Sequence, residues 1–84
     1  MISLDPIGKV THYYDKLSVA IVDLENGDLK VGDQLKFKRG EEEFSQAVES
    51  LQIDHQSVTE VKKGDSFGMK VDKPTKPGTL VYLA

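Results

Sequence analysis

The sequence predicts an all-β domain of about seven short strands, arranged as a sandwich or a barrel. Apolar residues alternate with polar residues in short runs, and turn-forming residues separate these runs at regular intervals. No segment carries apolar residues at helical spacing. Closing the sheet would remove its exposed edges, so we expect a closed antiparallel barrel of six or seven strands.

Two strands at hairpin spacing open the chain, over residues 7–14 and 17–24. Residues 19–22 form an unbroken apolar run, which is typical of a strand that is covered on both faces. The sequence Asn26-Gly27 is the strongest turn signal in the chain, because asparagine and glycine readily adopt positive φ angles.

The next strand has the clearest alternation. Leu35 and Phe37 alternate with Lys36 and Lys38, which predicts one apolar face and one basic face.

A long strand is predicted over residues 43–54. Its apolar residues change phase near positions 49–50, so we expect a β-bulge or a bend there. The remaining segments are strands at 58–61, 67–71 and 79–83, with a proline-containing loop at 73–78.

The inward phase of these strands predicts the hydrophobic core. It consists of Val10, Val19, Ile21, Leu35, Phe37, Val48, Leu51, Ile53, Phe67, Met69, Val71 and Val81. A length of 84 residues indicates a single domain over residues 1–84, and so small a domain has modest stability.

Composition narrows the classes of function. The net charge of −3 differs from the strong basic excess of domains that wrap RNA by charge alone. The chain has no cysteine, which excludes disulfides and thiolate chemistry and favours a reducing compartment. No apolar run has the length of a signal peptide or of a membrane helix. We therefore expect a cytoplasmic protein without membrane contact.

One segment has the glycine spacing of a phosphate-binding loop, with Gly27 and Gly32 at its ends. Asp33 and Gln34 stand where that loop requires lysine and then serine or threonine. We therefore expect a turn, and no GTP binding by this chain alone.

The two histidines, His12 and His55, have no converging ligands in the sequence, so neither a metal nor another cofactor is expected. No nucleophile with a matching base is apparent, so the chain is not expected to be an enzyme. The carboxylates at positions 41–43 are expected to form a solvated turn that discourages edge pairing.

Lys36, Lys38 and Lys70 lie at the polar phase of predicted strands, and they are candidate contacts for an RNA backbone. The alternative is an ordinary solvated sheet face, where lysines commonly alternate with core residues. Tyr13 and Tyr14 are candidates for stacking on bases, although alternation turns one of them inward and packing within the domain is the alternative.

Five motifs in order resemble the second domain of translational GTPases such as elongation factor Tu and initiation factor two. They are Gly8-Lys9-Val10, Val19-Ala20 and residues 29–33, 48–53 and 64–68. The resemblance covers nearly the whole chain and implies a closed Greek-key β-barrel, as a standalone elongation factor-like protein. A similar barrel ends some collagenase-like peptidases.

In elongation factor Tu, this domain helps to hold the aminoacyl end of tRNA through acidic and aromatic residues and an asparagine. The corresponding positions here are Asp5, Gly8 and Ser66. The aromatic wall and the asparagine are absent, so the resemblance does not imply capture of aminoacyl-tRNA by that route.

Two functions therefore stay open. The first is a non-catalytic binding module that contacts RNA or the translation machinery. The alternative is a protein–protein interaction barrel that serves a separate peptidase-like or RNA-modifying enzyme. A continuous stripe of the three lysines would favour RNA, and an exposed apolar patch would favour a protein partner.

Overall fold

The computed structural model describes residues 6–54 and 56–83, and in these residues it contains ten β-strands and no helix. The strands are β1 (Gly8–Tyr14), β2 (Val19–Leu24), β3 (Leu29–Lys30), β4 (Gln34–Arg39), β5 (Glu42–Ala47), β6 (Leu51–Ile53), β7 (Gln56–Val58), β8 (Glu60–Val61), β9 (Ser66–Lys70) and β10 (Leu80–Leu83). The all-β prediction is confirmed there. The strands outnumber the six or seven expected because the segments predicted at 43–54 and 58–61 each form two strands, and because the two-residue strand β3 is additional.

Eight strands form one antiparallel sheet in the order β5-β4-β10-β1-β2-β9-β6-β7, and β3 pairs separately with β8. The expected closed barrel is not found. Within the described residues, β5 pairs only with β4 and β7 pairs only with β6, so both ends of the large sheet are open edges.

The sheet curls so that its edge strand β5 comes close to the end of β9, and the side chain of Gln46 joins the two. Gln46 is buried on β5, and its Nε2 donates to the carbonyl of Lys70 at 3.0 Å. Its Oε1 accepts a hydrogen bond from the N–H of Asp72 at 2.9 Å. The edge strand β5 therefore reaches the segment after β9 through one side-chain bridge rather than through a backbone ladder.

At the phase change near positions 49–50, where a β-bulge or a bend is predicted, the strand ends and a second strand begins after it. Residues 48–50 belong to no strand, and the two halves take different neighbours: β5 pairs with β4, whereas β6 pairs with β7 and β9. A register irregularity lies in β1, between Val10 and His12.

Nine of the twelve predicted core residues are buried. The other three, Val19, Ile21 and Ile53, are half-buried. In β2 the predicted phase is wrong, because Ala20, Val22 and Leu24 point into the core instead of Val19 and Ile21. Both phases of this strand are apolar, so the alternation alone does not select the inward side.

Two turns with the same sequence pattern precede the strands β4 and β9. Residues 30–33 and 62–65 both read Lys-x-Gly-Asp. In each turn the aspartate Oδ2 accepts from the N–H of the lysine, and the aspartate N–H donates to the lysine carbonyl, all at 2.9–3.1 Å. Gly32 and Gly64 have φ angles of 99° and 94°, a region that favours glycine. The two turns therefore require glycine, as the sequence predicts for a turn.

Candidate functional site

Lys36 and Lys38 lie together on the face of β4 that points away from the core. Glu43 stands opposite Lys38 on β5, and its carboxylate lies 3.2 Å from Lys36 Nζ. The ion pair is roughly half exposed and contributes little to stability. It does, however, offset part of the positive charge that an RNA backbone would meet.

Lys70 lies elsewhere, at the end of β9 opposite Val19. Along the sheet, the strands β10, β1 and β2 lie between β4 and the strand β9 that carries Lys70. On the side where β5 comes close to β9, β5 lies between Lys70 and β4. The structure thus brings Lys36 and Lys38 together and leaves Lys70 apart from them. The role of these three lysines in RNA binding stays a prediction.

The aromatic residues of β1 divide as alternation predicts. Tyr13 is half-buried against the core, whereas Tyr14 is 51% exposed. The exposed ring of His12 lies 6.4 Å from the ring of Tyr14, centroid to centroid. No group of three or more metal-ligating residues comes together among residues 6–54 and 56–83; His55 itself lies outside the described residues.

The positions that the resemblance matched to a tRNA pocket do not form an open polar site in the described part of the chain. Gly8 is buried at the start of β1. The hydroxyl of Ser66 donates to the carboxylate of Asp23 on the neighbouring strand. Asp5 falls outside the described residues.

An apolar surface covers the outside of the β1–β2 hairpin. We call Tyr14, Leu17, Val19 and Ile21 the outer patch. Leu17 is 66% exposed, and its N–H donates to the carbonyl of Tyr14 across the turn. Tyr14 and Val19 are cross-strand partners. A β-carbon added at Gly68 would lie 3.2–3.3 Å from Ile21 Cδ1 and Val19 Cγ1, so the glycine lets both side chains lie flat on β9.

The outer patch explains the apolar run that the sequence shows at residues 19–22. That run predicts cover on both faces of β2, yet the described chain buries only Ala20 and Val22 fully. Within residues 6–54 and 56–83, no further layer lies over the outward residues Val19 and Ile21, which are half-buried. The sequence therefore carries a signal for a second covering surface, which the described residues do not supply.

A cleft of about 600 Å³ opens between the β4–β5 hairpin and the loop after β9. Its floor is the ring of Phe44, which stacks on the buried Phe37 with centroids 4.9 Å apart. Lys73 Nζ lies 5.8 Å from the centroid of the Phe44 ring. The floor of the cleft is apolar, with a cation at one side.

Buried hydroxyls hold the loop side of the cleft. Thr75 Oγ1 donates to the carbonyl of Lys73 at 2.9 Å, and Thr79 Oγ1 donates to the carbonyl of Lys76 at 2.6 Å. The rim carries charges of both signs: Arg39, Glu41, Glu42, Glu43, Lys73 and Lys76. Sequence reasoning missed this cleft because its two walls are about 30 residues apart along the chain.

Among the described residues, no helix has the length and apolarity needed to cross a membrane.

The sequence of this chain is similar to segments of a protease and of a collagenase. No protein-family model matches the chain. It is 38% identical, over 92% of its length, to an uncharacterized protease of Methanocaldococcus jannaschii. It is 27% identical, over 90% of its length, to a collagenase of Porphyromonas gingivalis. The chain spans about a fifth of the length of these relatives, 19% and 21% respectively.

Two solved structures share this fold. The C-terminal domain of a Geobacillus thermoleovorans protein assigned to the U32 peptidases superposes with a TM-score of 0.87, covering 98% of this chain and 99% of that one. This chain resembles the C-terminal domain of a peptidase. At 21% identity the likeness shows the fold. A selenomethionine variant of that domain gives a TM-score of 0.85.

These findings correct the first resemblance and support the second. The likeness to collagenase-like peptidases is confirmed. The comparisons give no support to the likeness with the second domain of translational GTPases or to a role in translation.

Proposed function

We propose that this chain is a non-catalytic module that packs against a peptidase-like catalytic polypeptide through the outer patch. The observation that carries the proposal is the outer patch itself, an exposed apolar surface on a sheet face where polar residues are usual. The peptidase relatives support the choice of a peptidase-like polypeptide as the partner. About four-fifths of the length of each relative lies outside the segment that this chain matches.

The composition of the outer patch suits a protein interface. Tyr14 offers a large ring with a polar tip, a residue type that interface centres favour. Leu17 projects from the turn beside it, and Asp15, Lys16 and Lys70 provide an exposed polar rim. A partner lying here would supply the second cover that the apolar run of β2 predicts.

A second candidate function, RNA binding, is favoured by the side-by-side placement of Lys36 and Lys38 on β4. The ion pair of Lys36 with Glu43 and the distant position of Lys70 on the sheet weaken it. We therefore place it behind the protein-docking function.

The test uses the Methanocaldococcus jannaschii protease prepared without the segment that aligns with this chain. Titration calorimetry should show saturable binding of the present chain to that polypeptide. Leu17→Lys should weaken the binding about tenfold or more, because a charge would enter the apolar centre of the interface. Hydrogen exchange should show protection of the β1–β2 turn in the complex.

Val31→Lys is the matched control. Val31 is also exposed, at 42%, but lies in the turn between β3 and β4. This variant should bind like the wild-type chain. Absence of binding, or an equal loss for Val31→Lys and Leu17→Lys, would count against docking through the outer patch.

A further inference from the structure

The free edge of β5 exposes backbone groups that have no partner within the described residues. Val48 N–H donates to the carbonyl of Asp33 at 2.8 Å, which fixes the side of the strand that faces β4. Alternate residues direct their N–H and C=O groups to the same side. The backbone N–H and C=O groups of Phe44 therefore form hydrogen bonds with β4. The N–H and C=O groups of Glu43 and Ser45 point away from β4.

The rest of the sheet gives the same assignment independently. Ile7 N–H donates to the carbonyl of Val81 at 2.7 Å, so Val81 faces β1 and its neighbours in β10 face β4. The neighbours of Val81 in β10 pair with Lys36 and Lys38 of β4, so the backbone groups of these two lysines point toward β10. The backbone groups of Phe37, which lies between them, then point toward β5. Counting from this end also places Phe44 on the β4 side.

The cleft lies beside this open edge. Its volume of about 600 Å³ falls within the range of about 300–1,000 Å³ that ligand sites occupy. The bridge from Gln46 to Lys70 and Asp72 holds the far end of β5 against the following segment. The end of β5 that carries Glu43 and Phe44 opens into the cleft.

We propose that the β5 edge binds an extended polypeptide as an added antiparallel or parallel strand. Backbone hydrogen bonds to Glu43 and Ser45 supply the part of the affinity that does not depend on the peptide's side chains, as in other strand-addition sites. Side chains of the added strand alternate between two faces. One set lies in the cleft over Phe44 and suits apolar groups. The other set lies beside Glu43, which is nearer to the edge than its ion-pair partner Lys36 on β4, and this set suits lysine or arginine.

A second copy of this chain fits the edge less well. In a two-fold antiparallel pairing of two β5 edges, Glu43 faces Ser45, Ala47 or Glu43 of the other copy, depending on the register. None of these residues supplies the positive charge that a side chain opposite Glu43 should carry. The site is also separate from the outer patch on β1 and β2, so it does not depend on the proposed docking function.

The first test measures peptide binding to the wild-type chain by NMR. The probe is a blocked hexapeptide of alternating valine and lysine. It should shift the amide signals of Glu43 and Ser45 and bind weakly, with Kd of about 0.1–1 mM. A hexapeptide of alternating valine and glutamate should bind several-fold less tightly. N-methylation of the peptide nitrogens that face β5 should abolish binding, because it removes the donors of the added ladder.

The second test changes the edge itself. Ser45→Pro removes the outward N–H while the ladder to β4 remains, and proline is tolerated at such edge positions. It should lower the affinity for the lysine peptide about tenfold, whereas Ser45→Ala, which keeps the N–H, should not. Leu17→Lys should bind the peptide like the wild-type chain, which separates this site from docking through the outer patch.

Three results would overturn the proposal. The first is no shift at Glu43 and Ser45 with the lysine peptide at millimolar concentration. The second is equal affinity for the N-methylated peptide, a result that does not depend on how Ser45→Pro folds. The third is a wild-type dimer in sedimentation that Ser45→Pro dissociates, because a second copy would then occupy the edge.

Discussion

Replacing Gln46 by methionine should lower the free energy of unfolding by about 2–4 kcal/mol. Methionine retains most of the buried volume and loses both hydrogen bonds to the backbone of residues 70 and 72. Each backbone group that is left buried without a partner costs about 1–3 kcal/mol, so the two groups together cost about 2–6 kcal/mol. We take the lower part of that sum because water can reach part of the segment.

That loss is large for a domain of this size. At about 0.05–0.15 kcal/mol per residue, 84 residues give a total stability of about 4–13 kcal/mol. Urea unfolding followed by circular dichroism measures the difference by linear extrapolation. Hydrogen exchange at the amide of Asp72 reports the bridge directly, and this amide should lose its protection in the variant.

Ser45→Ala is the control, since Ser45 is exposed on the same strand and should change stability by less than about 0.5 kcal/mol. Suppose that Gln46→Met costs less than about 1 kcal/mol and leaves exchange at Asp72 unchanged. The bridge would then contribute nothing, and another contact would have to hold β5 against the segment after β9.

Two further predictions concern the core and the lysines. Phe37→Ala should cost about 3–5 kcal/mol in urea unfolding, because Phe37 is fully buried and stacks on Phe44; a loss below about 1 kcal/mol contradicts its place in the core. If the chain binds single-stranded RNA through Lys36, Lys38 and Lys70, fluorescence anisotropy should show weak affinity with a log–log salt slope of about −2. Replacing Lys36 and Lys38 by glutamate should abolish that binding and change stability by less than about 0.5 kcal/mol. Binding that survives the replacement, or that ignores salt, would exclude these lysines as the contacts.

The sequence predicted strands well where polar and apolar residues alternate. In β4, Leu35 and Phe37 point inward and Lys38 points outward, as the pattern requires. Period-two alternation is a local property of an extended backbone, so no distant contact is needed to interpret it. The Lys-x-Gly-Asp turns are equally local, because their hydrogen bonds join residues three positions apart.

In β2, where both faces are apolar, the pairing with neighbouring strands decided which residues point into the core. Val22 lies opposite Val10 on one side and Phe67 on the other, and this register turns Val22 and Ala20 inward. The phase change near position 49 was visible in the sequence as well. Whether it produced a bulge or a break depended on the different partners that β5 and β6 found in the sheet.

The sequence by itself thus determined the strand content, most of the core and the tight turns, because each depends on neighbours a few residues apart. The tertiary structure alone decided that the sheet stays open, that Gln46 bridges its curl, and that Phe44 and Lys73 face one cleft. These features join residues 24–29 positions apart, and their geometry depends on how much the sheet twists and on which strands become neighbours.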